Sequence, residues 1–256
     1  MFNSGNPALN EDTFSVPYDR ADAITQPETM TVMGTVWKTA LLLLAVVGAG
    51  TFTWGLAMSS GALPAAWTFG GMIVGLVLAL VIIFKPVTAP FLSPLYAVAQ
   101  GLFLGGVSAM YEMNFSGGAG LDSIVIQAVG LTFGVTAAML IAYATRIIKV
   151  TEKLRAGIVI ATGGVFLFYL VAIGLSFFGV SVPLLHSSGP LGIGLSLVIV
   201  AIAAFNLLLD FDLIERGSAA GAPKHMEWYG AFGLMVTLIW LYLEILRLLA
   251  KLQNRN

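Results

Sequence analysis

"GLSLVIVAIAAFNLLLDFDLIERG", residues 194–217, decides the fold. Nothing from Gly194 to Leu209 is charged, and then Asp210, Asp212, Glu215 and Arg216 follow in quick succession. A bilayer core is crossed by about 20 apolar helical residues. The apolar part therefore reads as a membrane-crossing helix, and the acids fall at its end, before the chain reaches a turn.

The rest of the chain has the same character. Of its 256 residues, 58% are hydrophobic and 10% charged, with mean hydropathy +0.93. A soluble domain is about a quarter charged. Charges are missing between Lys38 and Lys85, Lys85 and Glu112, Asp122 and Arg146, and Arg155 and Asp210. The first and last gaps are each long enough for two crossings, broken at Ser59–Pro64 and at Gly179–Pro190. The spacing predicts an all-α polytopic membrane protein with seven spans, at 36–59, 65–84, 89–111, 121–146, 155–179, 189–214 and 228–251. Helices are required because backbone groups in lipid must pair within their own segment. The segments are too long and too uniformly apolar for alternating barrel strands.

Residues 1–35 are predicted to form a mobile arm ahead of a transmembrane domain at 36–256. The first 30 hold Asn, Pro, Asp, Glu, Ser and Thr, and no apolar run of the kind that opens a secretory leader. Lys and Arg set orientation. Arg20 and Lys38, Lys85, the Arg146–Arg155 cluster, and Arg216 with Lys224 all lie on one side, and the intervening loops carry neither residue. That puts the amino terminus in the cytoplasm. Arg247, Lys251 and Arg255 pull the other way, and a re-entrant last segment would reconcile them. Residues 228–251 are nevertheless long enough to span, and Trp228–Tyr229 suit an interface.

Net charge is -1, so no basic field invites nucleic acid. The absence of cysteine excludes disulfides, thiol catalysis and thiolate metal sites. His186 and His225 lie far apart in loops and make a poor metal site. No nucleophile motif, phosphate loop or zinc-ligand spacing is present, so an enzyme is not expected. Gly71 and Gly75, Gly101 and Gly105, and Gly130 and Gly134 are each four apart, a spacing that lets helix backbones approach.

A carboxylate in the membrane is expensive, so its position matters. Asp210 and Asp212 point to different faces of a helix. Asp212 has a ready partner in Arg216 and reads as half of a surface ion pair. Asp210 lies one turn after Asn206 on the same face, a short polar stripe that fits the bundle interior. Glu244, in an almost wholly apolar segment, is either a functional acid or a local partner of Arg247. Glu112 reads as interfacial.

Long stretches of the chain resemble the Bax inhibitor-1 family, and its bacterial branch in particular. They are "NPAL" at 6–9, "PLYAVAQGLFLGGVSA" at 94–109, "IIKVTEKLRAGIVIATGG" at 147–164, "DFDLIERG" at 210–217 and "EWYGAFGLMVTLIWLYLEILRLLAKL" at 227–252. The resemblance implies a bacterial inner-membrane protein in which the last helix is central and six others wrap it. It implies a pH-sensitive calcium leak gated by a pair of acids, with calcium passing transiently and no standing cofactor. The family's Asp-x-x-Leu-Ile lands on Asp210–Ile214, and its Leu-x-Leu-Asp lands on Leu241–Glu244. The implied gate and weak calcium site is thus Asp210 with Glu244, supported by Asn206, Asp212 and Arg247. Glu replaces the usual Asp at 244, and Gln100 stands where many relatives are expected to carry Glu. For the pair to meet, residues 217–233 must run along the interface or break near Gly230 and Gly233. Two carboxylates in one low-dielectric site cannot both ionise cheaply, so a shared proton would hold the helices together and its loss would release them. Some bacterial relatives instead resemble modulators of a membrane-bound AAA protease that engage it through the arm.

Overall fold

A computed structural model describes residues 29–115, 122–179, 182 and 187–254. Among them, seven helices are long and apolar enough to cross a membrane. They are α1 (Val32–Ser60), α2 (Ala65–Phe84), α3 (Ala89–Phe115), α4 (Ile124–Ala144), α5 (Glu152–Phe177), α6 (Pro190–Ala219) and α7 (Met226–Gln253), with a 3-10 turn at Pro86–Thr88 before α3. Local sequence sets several ends. The hydroxyls of Thr31, Ser123 and Thr151 accept the orphan N–H groups of Gly34, Ile126 and Leu154 at the starts of α1, α4 and α5. Pro190 opens α6, where its missing N–H costs nothing. Gly61, at φ 64, stops α1.

The predicted spans hold, with two revisions. Residues 32–35, assigned to the arm, form the first turn of α1, and residues 1–28 lie outside the described set. The sixth span runs five residues beyond the expected 214, so the acids sit inside a helix rather than at its end. The (i, i+4) pair of Asp212 with Arg216 supports that extra turn.

The last helix is the core of the bundle. In α7, 61% of the apolar span is buried, against 44% or less in each of the other six. Its Met235, Leu241 and Leu246 are fully enclosed. The wrapping forms two shells. Helices α1, α3, α4 and α6 close a ring around α7, α2 packs on α3, and α5 packs on α6. Nearly all of α5 faces outward, with Ile158 its one buried residue.

Glycine explains the tight side of the ring. A methyl group at Gly101 would come within 2.5 Å of the Val46 carbonyl of α1, and one at Gly71 within 2.5 Å of the Ala99 carbonyl of α3. Gly105 lies directly against Gly50. These close approaches join α1 and α2 to α3. Gly130 and Gly134 do not act this way. Nothing lies within 4 Å of the position a side chain would take at either, so that third pair makes no helix contact.

Candidate functional site

The chain crosses from α6 to α7 through a short turn, and the arm's root is tied to that turn. Thr29 forms a lone β-bridge with Pro223, and the Met30 N–H donates to the Ala222 carbonyl at 2.7 Å. Glu227, in the first turn of α7, is wholly buried beneath this strap. Its carboxylate accepts from the N–H and the hydroxyl of Thr31, both at 2.8 Å, and pairs with Lys38, with Lys224 at 3.3 Å. The Lys38 amine also stands over the Trp228 ring, 5.5 Å from its centre. Sequence reasoning missed this acid. Its only local signals are its place at a helix start, where the dipole favours anions, and Lys224 three residues before it.

Asp212 is buried and not the surface half-pair that was expected. It holds Arg216 at 2.9 Å, and it also accepts from Arg155 of α5 at 2.5 Å. Glu215 pairs with Arg146 at 3.0 Å and accepts from the Tyr143 hydroxyl. A polar cavity of about 590 Å³ lies against these groups, lined by Tyr143, Arg146, Lys149, Asp212, Glu215 and Arg216. Arg146 holds a left-handed backbone at φ 59.

Deeper in the bundle the stripe of Asn206 and Asp210 divides. One turn of helix rotates the second residue about 40° from the first. The Asn206 amide donates to the Thr162 hydroxyl of α5 at 2.7 Å, whereas Asp210 turns toward Thr237 of α7. The Asp210 Oδ2 atom is buried and has no hydrogen-bond partner.

Glu244 lies elsewhere. It is 2% exposed, accepts from the Tyr169 hydroxyl of α5 at 2.8 Å, and pairs with Arg247 at 2.8 Å. Arg247 donates to the same tyrosine oxygen. The expected contact between Asp210 and Glu244 does not form. The reason is register: α7 runs unbroken from Met226 through Gly230 and Gly233, so Asp210 meets it at Thr237. Glu244 is two turns further along, about 10 Å of helix. The two acids therefore do not make a shared ligand pair for calcium. Among the described residues no group of three or more His, Cys, Asp or Glu side chains gathers to hold a metal. His225 precedes α7, and His186 lies outside the described residues. Glu112 accepts from Ser123 at 2.8 Å across the α3–α4 connection.

The far end of α7 carries a further polar contact. Lys251 is 5% exposed and donates to the Gly192 carbonyl at 3.0 Å and to the Ser196 hydroxyl at 2.9 Å. It clamps the end of α7 to the start of α6.

A seven-helix bundle around its last helix, with acids on α6 and α7, is the arrangement that the sequence resemblance implied. The Bax inhibitor 1 like family pattern matches residues 6–254, almost the whole chain. The chain belongs to that family. No curated protein matches the sequence. Within the family frame, the segment at 210–214 and the segment at 241–244 each lie in the expected helix, but their acids engage different partners.

Proposed function

We propose that this Bax inhibitor 1 like protein is a proton-sensitive cation leak, with calcium as cargo, switched by Asp210. The supporting observation is the Asp210 oxygen that lies buried in a spanning helix without a partner. An unsatisfied buried polar atom is costly and needs a reason to persist. Here the reason is exchange: a proton or a cation can occupy the same oxygen, and each excludes the other. Asn206 and the Thr237 hydroxyl are the neighbouring oxygens that would help a calcium ion pass. Calcium prefers six to eight oxygen ligands, so one carboxylate with neutral helpers binds weakly, as a conduit must. Glu244, already neutralised by Arg247, is a fastening of the closed state rather than half of the switch. The loop charges favour a cytoplasmic amino terminus, and the resemblance to the bacterial branch is what suggests a bacterial inner membrane.

The test is flux from liposomes loaded with a calcium-sensitive dye, read across a pH series. The expected result is a pH-dependent leak that loses its pH dependence in Asp210→Asn. An Asp210→Asn protein whose leak keeps its full pH dependence would defeat the assignment.

The second reading, modulation of a membrane-bound AAA protease, has one observation in its favour. The arm's root is fixed to the α6–α7 turn, so a partner pulling on the arm would act directly on the two helices that carry the acids. Deleting residues 1–28 would abolish co-purification with the protease under this reading, and would leave liposome flux unchanged.

A further inference from the structure

Helix α5 is the least buried of the seven, at 11% of its span, yet its inward face carries a regular polar series. Arg155, Thr162 and Tyr169 are seven residues apart, and a heptad step returns to nearly the same face. Each meets a polar partner at a different depth. Arg155 holds Asp212, Thr162 accepts from Asn206, and Tyr169 donates to Glu244 while accepting from Arg247. Helix pairs in a bilayer have no hydrophobic driving force between them, and Ile158 is the one buried side chain that α5 offers its neighbours. These three rungs therefore supply much of what holds it. The rung of Arg155 and Asp212 opens on the 590 Å³ polar cavity, and the middle rung lies one helical turn from the unpartnered oxygen of Asp210.

We propose that the seam between α5 and the α6–α7 pair is the route for water and a small cation, with the Arg155–Asp212 and Tyr169–Glu244–Arg247 contacts as its two closures. The cation part of this rests on the leak function proposed above. When α5 tilts away, the groups that closed the seam become its lining. The lining then carries hydroxyl, amide and carboxyl oxygens at every second turn, in a zone where an isolated helix would have only hydrocarbon. Arg155 moves off with α5, where Glu152 stands 3.6 Å from it, while Asp212 keeps Arg216 and Glu244 keeps Arg247 on their own helices. A route behind α5 needs no break in the ring that α1, α3, α4 and α6 close around α7.

The absence of native cysteine makes the test direct. Single cysteines at Thr162 and Tyr169 on α5 and at Asn206 on the opposite wall are compared with cysteines at Ile160 and Leu167. Those two controls are 74% and 61% exposed on the outer surface of the same helix. The protein in liposomes is treated with a membrane-impermeant, positively charged thiol reagent. Seam positions should react about 10-fold faster or more than the controls, because a fixed charge does not enter hydrocarbon. Equal, negligible rates at all five positions would overturn the seam, and so would fast labelling confined to the outer face. Agreement between the two walls guards against a variant that has lost its fold. Labelling reports water alone. Fast seam labelling with no calcium flux from the unmodified protein would uphold the water route and refute the leak, whereas flux without seam labelling would place the route elsewhere.

Discussion

Asp210 of α6 is level with Thr237 of α7, and Glu244 stands two turns beyond it on the same helix. A proton shared between the two acids is thereby replaced by two separate devices. One is a carboxyl with an open oxygen. The other is an acid locked to Arg247 and Tyr169.

Separate devices give separate effects. Asp210→Asn should abolish the pH dependence of flux, and Glu244→Gln should raise the leak while leaving its pH dependence in place. Sites about 10 Å apart with no common partner add to within about 0.5 kcal/mol, so the double variant should show both changes in full. The readout is the liposome calcium assay. A double variant no different from either single one would restore the coupled pair.

The strap over Glu227 governs stability rather than flux. Glu227→Gln leaves the Lys38 amine without its carboxylate beneath the arm's root. Breaking a buried pair from one side costs about 3–5 kcal/mol, and the lower end applies because Lys38 keeps some exposure. Thr31→Ala removes a helix cap and a donor to the same acid, a loss of about 1 kcal/mol. Thermal unfolding in detergent followed by circular dichroism should rank Glu227→Gln well below Thr31→Ala, with the native chain highest. An unchanged melting temperature in Glu227→Gln would contradict the buried-pair account.

Much of the architecture was legible in the sequence because the bilayer penalises charge. The gaps from Lys38 to Lys85, Lys85 to Glu112, Asp122 to Arg146 and Arg155 to Asp210 mark helices directly, and Asp210 stood out because it shares a face with Asn206 while Arg216 is placed for Asp212. What stayed hidden depends on distance along the chain. Glu227 looks like an ordinary helix start until Lys38 and Thr31, 189 and 196 residues away, fold over it. Thr162 and Tyr169 are unremarkable in an apolar helix, and only their partners on α6 and α7 reveal a series. The register of α7 failed for a different reason. Motif spacing gives the helix on which each acid lies but not the level at which two helices meet.

Glycine substitutions separate true contacts from coincidental spacing. Gly105 rests on Gly50 of α1, so Gly105→Leu should force the helices apart and cost about 1–3 kcal/mol or more, as overpacking does. Gly134 faces open space, and Gly134→Ala should be neutral or stabilise by up to about 1 kcal/mol through helix propensity. Melting temperatures of the two variants measure this, and comparable losses in both would mean that α4 packs against a surface not seen here.

Orientation follows from where the terminal charges go. Sequence alone left Arg247, Lys251 and Arg255 arguing against a cytoplasmic amino terminus; Arg255 lies outside the described residues, which leaves Arg247 and Lys251. In the folded chain both are spoken for: Arg247 holds Glu244, and Lys251 is buried against Gly192 and Ser196 of α6. A cation engaged inside the bundle does not have to choose a leaflet, so the loops decide. The connection from α4 to α5 carries Arg146 and Lys149, and α7 is one unbroken helix long and apolar enough to cross a membrane. We therefore expect Lys149→Cys, in intact cells, to be shielded from an impermeant thiol reagent until the membrane is opened. Ser60→Cys, at the opposite end of α1, should react at once. The reverse pattern would invert the whole bundle and move the polar cavity beside Asp212 to the outer face.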